Sequence, residues 1–278
     1  MFRAPKPLCN RDLRMTTKWV GWLTVLALSV GLMGTVRADD PKPLRALLVI
    51  GGCCHDYAKQ SEILKRGIEA RAHVIVDIDF VKDGSTRAAF ERYRKGEWYR
   101  GYDVIIHDEC SADVTDPIYV GNILKPHAEG LPAVNLHCAM HSYRIKGDDW
   151  FRFCGIQSNR HGPQQPIEIT LDDPKHPILE GSSNWTTINE ELYNNIKVFD
   201  TAKILATGSQ EKTVKGSKPA AVIWTNTYGK ARVFNSTLGH SNPTVDDPRF
   251  LRIVTRGLLW ACDKPMDVYL KPEPKKLP

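Results

Sequence analysis

The chain has 278 residues, of which 42% are hydrophobic and 25% charged, with a formal net charge of +6. That excess lies in the first 38 residues, where Arg3, Lys6, Arg11, Arg14, Lys18 and Arg37 stand against Asp12 alone; the remaining chain holds 32 basic and 31 acidic residues. A near-neutral body offers no basic stripe to a phosphate backbone, which excludes nucleic acid as an expected partner.

The leader comes first in chain order. Basic residues up to Lys18 precede an apolar run from Trp19 to about Met33, and Val36-Arg37-Ala38 places small residues at the −3 and −1 positions. Residues 1–38 therefore read as a secretory signal peptide cleaved near Ala38, with Met15 the more usual start. The run is shorter than the ~20 apolar residues of a membrane span. An exported body, periplasmic or extracellular, with no span after cleavage is the expectation. Six cysteines follow: Cys53, Cys54, Cys110, Cys138, Cys154 and Cys262. They lack zinc-knuckle spacing and are sparse for a disulfide scaffold, so they read mainly as small buried side chains. One disulfide stays open, without readable partners.

About 240 residues suit a single α/β domain, here 39–264, followed by a flexible Pro- and Lys-rich tail over 265–278. Leu44 to Ile50 is an apolar run ending in Gly51-Gly52, as in a strand buried on both faces. A helical pattern runs from about Ala58 to Arg71. Strands follow at His73–Phe80, Asp103–His107 and Pro132–Leu136, with a helix at about Pro117–Glu129 before the last of these. This alternation predicts right-handed βαβ units and a parallel sheet. The second half changes rhythm, with strands at Ile167–Leu171, Lys203–Thr207, Ala220–Trp224 and Ala231–Asn235. The last two form a hairpin about Tyr228-Gly229-Lys230. A final helix, about Asp247 to Trp260, covers the sheet.

Ligands of open parallel sheets bind beyond the carboxyl ends of the strands. Those ends carry Cys53-Cys54-His55-Asp56-Tyr57, His107-Asp108-Glu109, His137-Cys138-Ala139-Met140-His141 and, after the late hairpin, Gly239-His240. The convergence of imidazoles and carboxylates from separate segments is the main functional signal, whereas His73 and His127 read as structural. The fourth turn has the look of a nucleophile elbow, which needs small residues two before and two after its tip. With Cys138 at the tip the flanks are Leu136 and Met140; with His137 there they are Asn135 and Ala139, a better steric fit. A thiolate role for Cys138, assisted by His141, His240 or His55, stays open.

The segments GGCCHDY, LHCAMHS, DDPKHPILEG, NEELYNN, AVIWTNTYGKARVFNSTLGH and FLRIVTRGLLWAC occur in this order over about Leu44 to Cys262. Together they resemble the trehalose-utilisation ThuA-like family. The resemblance implies a flavodoxin-like, class I glutamine amidotransferase-like three-layer α/β sandwich, with a mainly parallel sheet and the catalytic cysteine generally absent. Its matching polar positions are His55, Asp56, His137, His176, Glu191, Tyr193, Trp224, Gly239 and His240. Two departures stand out: Cys138 occupies a position that is often small in the family, and the Cys53-Cys54 pair is unusual ahead of His-Asp.

The expected chemistry is acid–base work on a small carbohydrate of the trehalose or 3-keto-glycoside kind. His137, His240, Glu191 and Asp56 are the candidate catalytic residues. His55, Tyr193, Trp224, His141, His161 and Asp108 are candidates for substrate binding. His55, His137 and His240 are the candidate ligands of a divalent metal, zinc or manganese. His176, between proline-favoured turns, reads as part of a turn. A non-catalytic sugar-binding module and a Cys138-dependent hydrolase or amidotransferase-like enzyme are the alternatives.

Overall fold

The computed structural model describes residues 40–274, so the expected leader lies outside the described residues. In chain order the elements are β1 (Leu44–Gly52), α1 (Tyr57–Arg71), β2 (Val74–Val81), β3 (Val104–Cys110), α2 (Pro117–Glu129), β4 (Ala133–Leu136), α3 (Asp149–Cys154), β5 (Ile156–Gln157), β6 (Gln165–Leu171) and β7 (Trp185–Glu190). Then come β8 (Lys197–Val198), β9 (Lys203–Ser209), β10 (Ala220–Tyr228), β11 (Ala231–Ser236), α4 (Asn242–Val245), α5 (Pro248–Ala261) and α6 (Met266–Tyr269). Nine strands form one sheet in the order β2-β1-β3-β4-β11-β10-β9-β6-β7. The ladders from β2 to β11 are parallel, and those from β11 to β7 are antiparallel.

The alternation of strand side chains splits the core into two layers. Leu44, Ala46, Leu48 and Ile50 of β1 face one side with Ile63, Leu64 and Ile68 of α1 and Val254, Leu258 and Leu259 of α5. Leu47 and Val49 face the other, with Tyr119, Val120 and Ile123 of α2 and Trp150 and Phe153 of α3. The helices thus flank a sheet buried on both faces, giving three layers. Each fully buried large apolar side chain contributes roughly 1.5–3 kcal/mol. Capping fixes where the helices begin. Asp56, Asp116 and Asp247 accept backbone N–H bonds from Lys59, Ile118 and Arg249 at the starts of α1, α2 and α5, and Pro117 and Pro248 occupy first-turn positions that need no donor.

Three features depart from expectation. First, β3 runs to Cys110, because its register with β1 continues to Gly52↔Cys110. His107, Asp108 and Glu109 therefore lie within the strand, not beyond its end. His107 and Glu109 point into the α2–α3 layer, where Glu109 Oε1 accepts from Tyr143 at 3.0 Å and Tyr93 at 3.3 Å and lies 3.0 Å from His107 Nδ1. His107 Nε2 in turn sits 3.2 Å from His127 Nε2. Glu109→Ala is expected to cost roughly 3–5 kcal/mol, because it strands two phenols and an imidazole in a dry core. Urea denaturation measures this, and an unchanged midpoint would show that the network does not stabilise the fold.

Second, β7 is a strand that periodicity does not announce. Third, the tail expected to fray from Pro265 is packed at its start. α6 forms there, Leu270 bridges to Ala72, and the Lys271 N–H donates to the Arg71 carbonyl at 2.8 Å. Among the described residues no helix is long and apolar enough to cross a membrane.

Candidate functional site

The sheet topology decides which chain ends share a rim. β1, β4 and β11 are parallel, and two antiparallel steps each carry that direction on to β9 and then to β7. The carboxyl ends of β1, β4, β11 and β7 therefore open on one side. The residues leaving them are Cys53 to Asp56, His137 to His141, Thr237 to His240, and Glu191 to Tyr193.

His55, His137, Glu191 and His240 meet there, with one potential ligand atom from each lying within 4.8 Å of the others. His55 Nε2 is 3.1 Å from His240 Nδ1. Glu191 reaches both of the other histidines, at 3.5 Å from His137 Nε2 and 3.3 Å from His240 Nδ1. The backbone orients the rings. His137 Nδ1 donates to the Thr237 carbonyl at 2.6 Å, which turns Nε2 to the cluster. His55 Nδ1 lies 3.3 Å from the Cys53 carbonyl and 3.2 Å from Tyr57 Oη, which favours a free Nε2. The His240 N–H donates to Glu190 at 3.1 Å, and Gln60 Nε2 donates to the His240 carbonyl at 3.2 Å.

His137 occupies the tip of the fourth turn at φ +39°, a left-handed conformation uncommon outside glycine. The following Cys138 points inward, and its thiol donates to Cys110 Sγ at 2.7 Å. That hydrogen bond, with burial, pushes the Cys138 thiol well above its usual range. The elbow therefore presents imidazole rather than thiolate.

Electrostatics divides the cluster. Burial, with His137 and His240 nearby, lowers the His55 pKa to about 3, so this ring is neutral at ordinary pH. His240 moves the other way, because its hydrogen bond to Glu191 favours the imidazolium. Burial opposes ionisation of Glu191, but hydrogen bonds from His137 and His240 outweigh it and hold the carboxyl well below the usual range. One ionised carboxylate beside three convergent imidazoles is a donor set that suits zinc or manganese.

A pocket of about 410 Å³ opens beside the cluster, lined among others by Cys53, His55, His141, Arg160, His161 and Tyr193. Tyr193 binds the site together: its ring stacks on His141 at 3.9 Å and its hydroxyl lies 3.3 Å from His137 Nε2. Burial lowers the His141 pKa to about 3, and its Nε2 lies 2.8 Å from Ser158 Oγ. His161 stands on the outer lip with Nδ1 3.7 Å from Glu191.

The remaining candidates lie elsewhere. Trp224 is 1% exposed in the α2–α3 core layer, donating to the Cys154 carbonyl at 2.7 Å, so it cannot stack on a ligand in the pocket. Asp56 is exposed, caps α1 and accepts from Asn242 Nδ2 at 2.8 Å. Asp108 is buried within β3, and burial raises its pKa well above the carboxylate range. His176 accepts from the Ile178 N–H at 3.3 Å at the start of a 3-10 turn, as the flanking prolines suggest. Residues the sequence did not single out include Glu190, Gln60, Arg160 and Cys110. Glu190 alone carried a signal, as the neighbour of Glu191. The Cys53-Cys54 pair proves to be a disulfide between adjacent residues.

The fold and rim define a flavodoxin-like, glutamine amidotransferase-like α/β domain whose elbow carries histidine. The family model for ThuA, trehalose utilisation, matches residues 45–261, and the chain belongs to that family. A putative ThuA-like protein from Parabacteroides merdae is 21% identical with a TM-score of 0.64, over 85% of this chain and 95% of that one. A second, from Bacteroides uniformis, is 14% identical with a TM-score of 0.60, over 81% and 93%. The cytoplasmic protein STM3548 from Salmonella typhimurium is 13% identical with a TM-score of 0.53, over 82% and 100%. At these identities the likeness is one of fold. No curated protein sequence matches the chain.

Proposed function

We propose that this protein is an exported carbohydrate-processing enzyme that acts on trehalose-type or 3-keto-glycoside sugars. Its active centre would be a divalent metal, zinc or manganese, held by His55, His137, His240 and Glu191. The observation that carries the reading is the meeting of these four donors, from four separate segments, within 4.8 Å of one another beside a pocket of about 410 Å³. That volume lies in the range of small-molecule sites. Membership of the trehalose-utilisation family supports the sugar class.

When bound, such a metal polarises a carbonyl or activates a water molecule. The chain's own groups do the rest. Glu191 and His240 serve as ligands in that state, which leaves His161, with Nδ1 3.7 Å from Glu191, and the Tyr193 hydroxyl, 3.3 Å from His137 Nε2, as the polar groups beside the metal that handle protons. A keto group acidifies the neighbouring C–H, and a group so placed can take that proton and return it to a leaving oxygen. Tyr193, His141 and the lip residues Arg160 and His161 line the space where hydroxyls would be held.

The test is to incubate metal-loaded and chelator-treated protein with trehalose, 3-keto-trehalose and related glycosides and to identify products. Turnover by the loaded protein, lost on chelation and restored by metal, is expected. Sugar binding without any product would replace this reading with that of a binding module. Metal affinity should also depend on pH. His240 must give up its proton to ligate, and Glu191 holds that proton above the ordinary histidine pKa. Affinity should therefore keep climbing as pH rises past the ordinary histidine range and level off only once His240 has lost its proton. Titration calorimetry in buffers of different ionisation enthalpy reads the released proton, and an affinity independent of pH would contradict the ligand set.

A further inference from the structure

Four sulfur atoms line up along the same pocket. Cys54 is exposed and bonded to the half-buried Cys53. Cys53 Sγ lies 3.3 Å from Cys110 Sγ, and Cys110 Sγ lies 2.7 Å from Cys138 Sγ. Cys110 and Cys138 are buried, at 5% and 6% exposure, and all four residues line the pocket wall. They come from the ends of β1, β3 and β4, so the sheet itself holds the row together. Cys154 and Cys262 belong to neither the row nor the pocket lining.

We propose that Cys54, Cys53, Cys110 and Cys138 form a thiol–disulfide exchange site, in which a disulfide passes between the outer pair Cys53–Cys54 and the inner pair Cys110–Cys138. In the first step the Cys110 thiolate attacks Cys53 Sγ. The Cys53–Cys54 bond breaks, a Cys53–Cys110 bond forms, and the electron pair leaves on Cys54, which takes up a proton at the pocket mouth. In the second step Cys138 attacks Cys110 Sγ, and its proton passes to Cys53, whose bond to Cys110 breaks and which leaves as a thiol. One disulfide and two thiols are present before and after, so the exchange needs no oxidant. The external partner is a small thiol or disulfide, which reaches the row at Cys54.

Each step matches its geometry. Exchange needs a thiolate with direct access to a disulfide sulfur, and Cys110 touches Cys53 with no residue between them. The hydrogen bond donated by Cys138 favours the Cys110 thiolate and lowers its pKa. Closing Cys110 and Cys138 to a bond of about 2.05 Å requires a movement of less than about one ångström. Both ends of the row adjoin the imidazole cluster, since Cys54 precedes His55 and Cys138 follows His137. The exchange does not depend on the cluster binding metal or sugar.

The experiment starts from the purified full chain carrying one disulfide, held under argon without oxidant, quenched in acid, alkylated and mapped by peptide mass spectrometry. A mixture of Cys53–Cys54 and Cys110–Cys138 linkages is expected. Free Cys110 and Cys138 should be lost in step with a gain in free Cys53 and Cys54, with total thiol constant. The Cys138→Ala variant removes the second step. Iodoacetamide should then cap the released Cys54 and trap the Cys53–Cys110 crosslink. If Cys138→Ala fails to fold, the wild-type equilibrium decides alone, and added reduced and oxidised glutathione should shift it. A Cys53–Cys54 linkage that stays the sole disulfide throughout, with Cys110 always free, overturns the proposal.

Discussion

Glu191→Gln is expected to weaken binding of zinc or manganese by roughly 100-fold or more and to abolish sugar turnover. Losing a mere outer-sphere partner of a ligand commonly costs 10- to 100-fold, and Glu191 is the carboxylate of the set itself. Glutamine keeps the shape and nearly all the contacts, so the loss reports charge. The substitution also acts on His240, whose pKa is raised by its hydrogen bond to Glu191 while burial pulls it down. Without the carboxylate, burial dominates, the imidazole gives up its proton at lower pH, and proton competition for the ligand weakens. The two effects oppose each other. Loss of the anion wins, because the metal's double charge interacts with it directly at short range. Equilibrium dialysis at constant pH and product analysis give both readouts. A variant that binds metal as tightly as the wild type and still turns over sugar would refute the cluster as the active centre.

The parallel half of the sheet was legible because strands buried on both faces read as continuous apolar runs, as in Leu47 to Ile50. The elbow was legible for a different reason. Sterics placed small residues around position 137 rather than 138, and His137 does adopt the positive φ. β7 was not legible: it is the edge strand, with Thr186, Ile188 and Asn189 exposed, so Trp185 to Glu190 shows no apolar periodicity. Missing that strand hid the reason Glu191 reaches the rim. The end of β3 misled for the opposite reason. Polar His107 and Glu109 look like rim residues, but they satisfy one another and two tyrosines in the core. Trp224 was ambiguous because a tryptophan fills a core as readily as it stacks on a sugar. The disulfide depends on backbone conformation at two adjacent residues, which spacing does not encode.

Gly52→Ala is expected to be the most damaging single methyl the fold can receive near the site. Gly52 closes β1 at φ +102°, where an L side chain is strained by about 1–3 kcal/mol. An added Cβ would also overlap the carbonyl oxygen and carbon of Cys110 on β3, and this obstacle is backbone that cannot rotate away. The neighbouring Gly51, at φ +143°, meets Val81 of β2 in the same way, so β1 cannot relieve the clash by sliding toward its other partner. The combined cost is about 3–5 kcal/mol, equivalent to a fall in Tm of about 6–20 °C for a domain of this size. The effect on the site should exceed the effect on the fold. Gly52 leads directly into Cys53, Cys54 and His55, and the overlap pushes this segment away from β3, opening the 3.3 Å gap between Cys53 and Cys110 and the 3.1 Å contact of His55 with His240. Below the lowered Tm, the variant should therefore keep its far-UV circular dichroism yet lose metal affinity at least as severely as Glu191→Gln. A variant with unchanged Tm and unchanged affinity would mean that the end of β1 is soft, and that the cluster owes its geometry to β4, β11 and β7 alone.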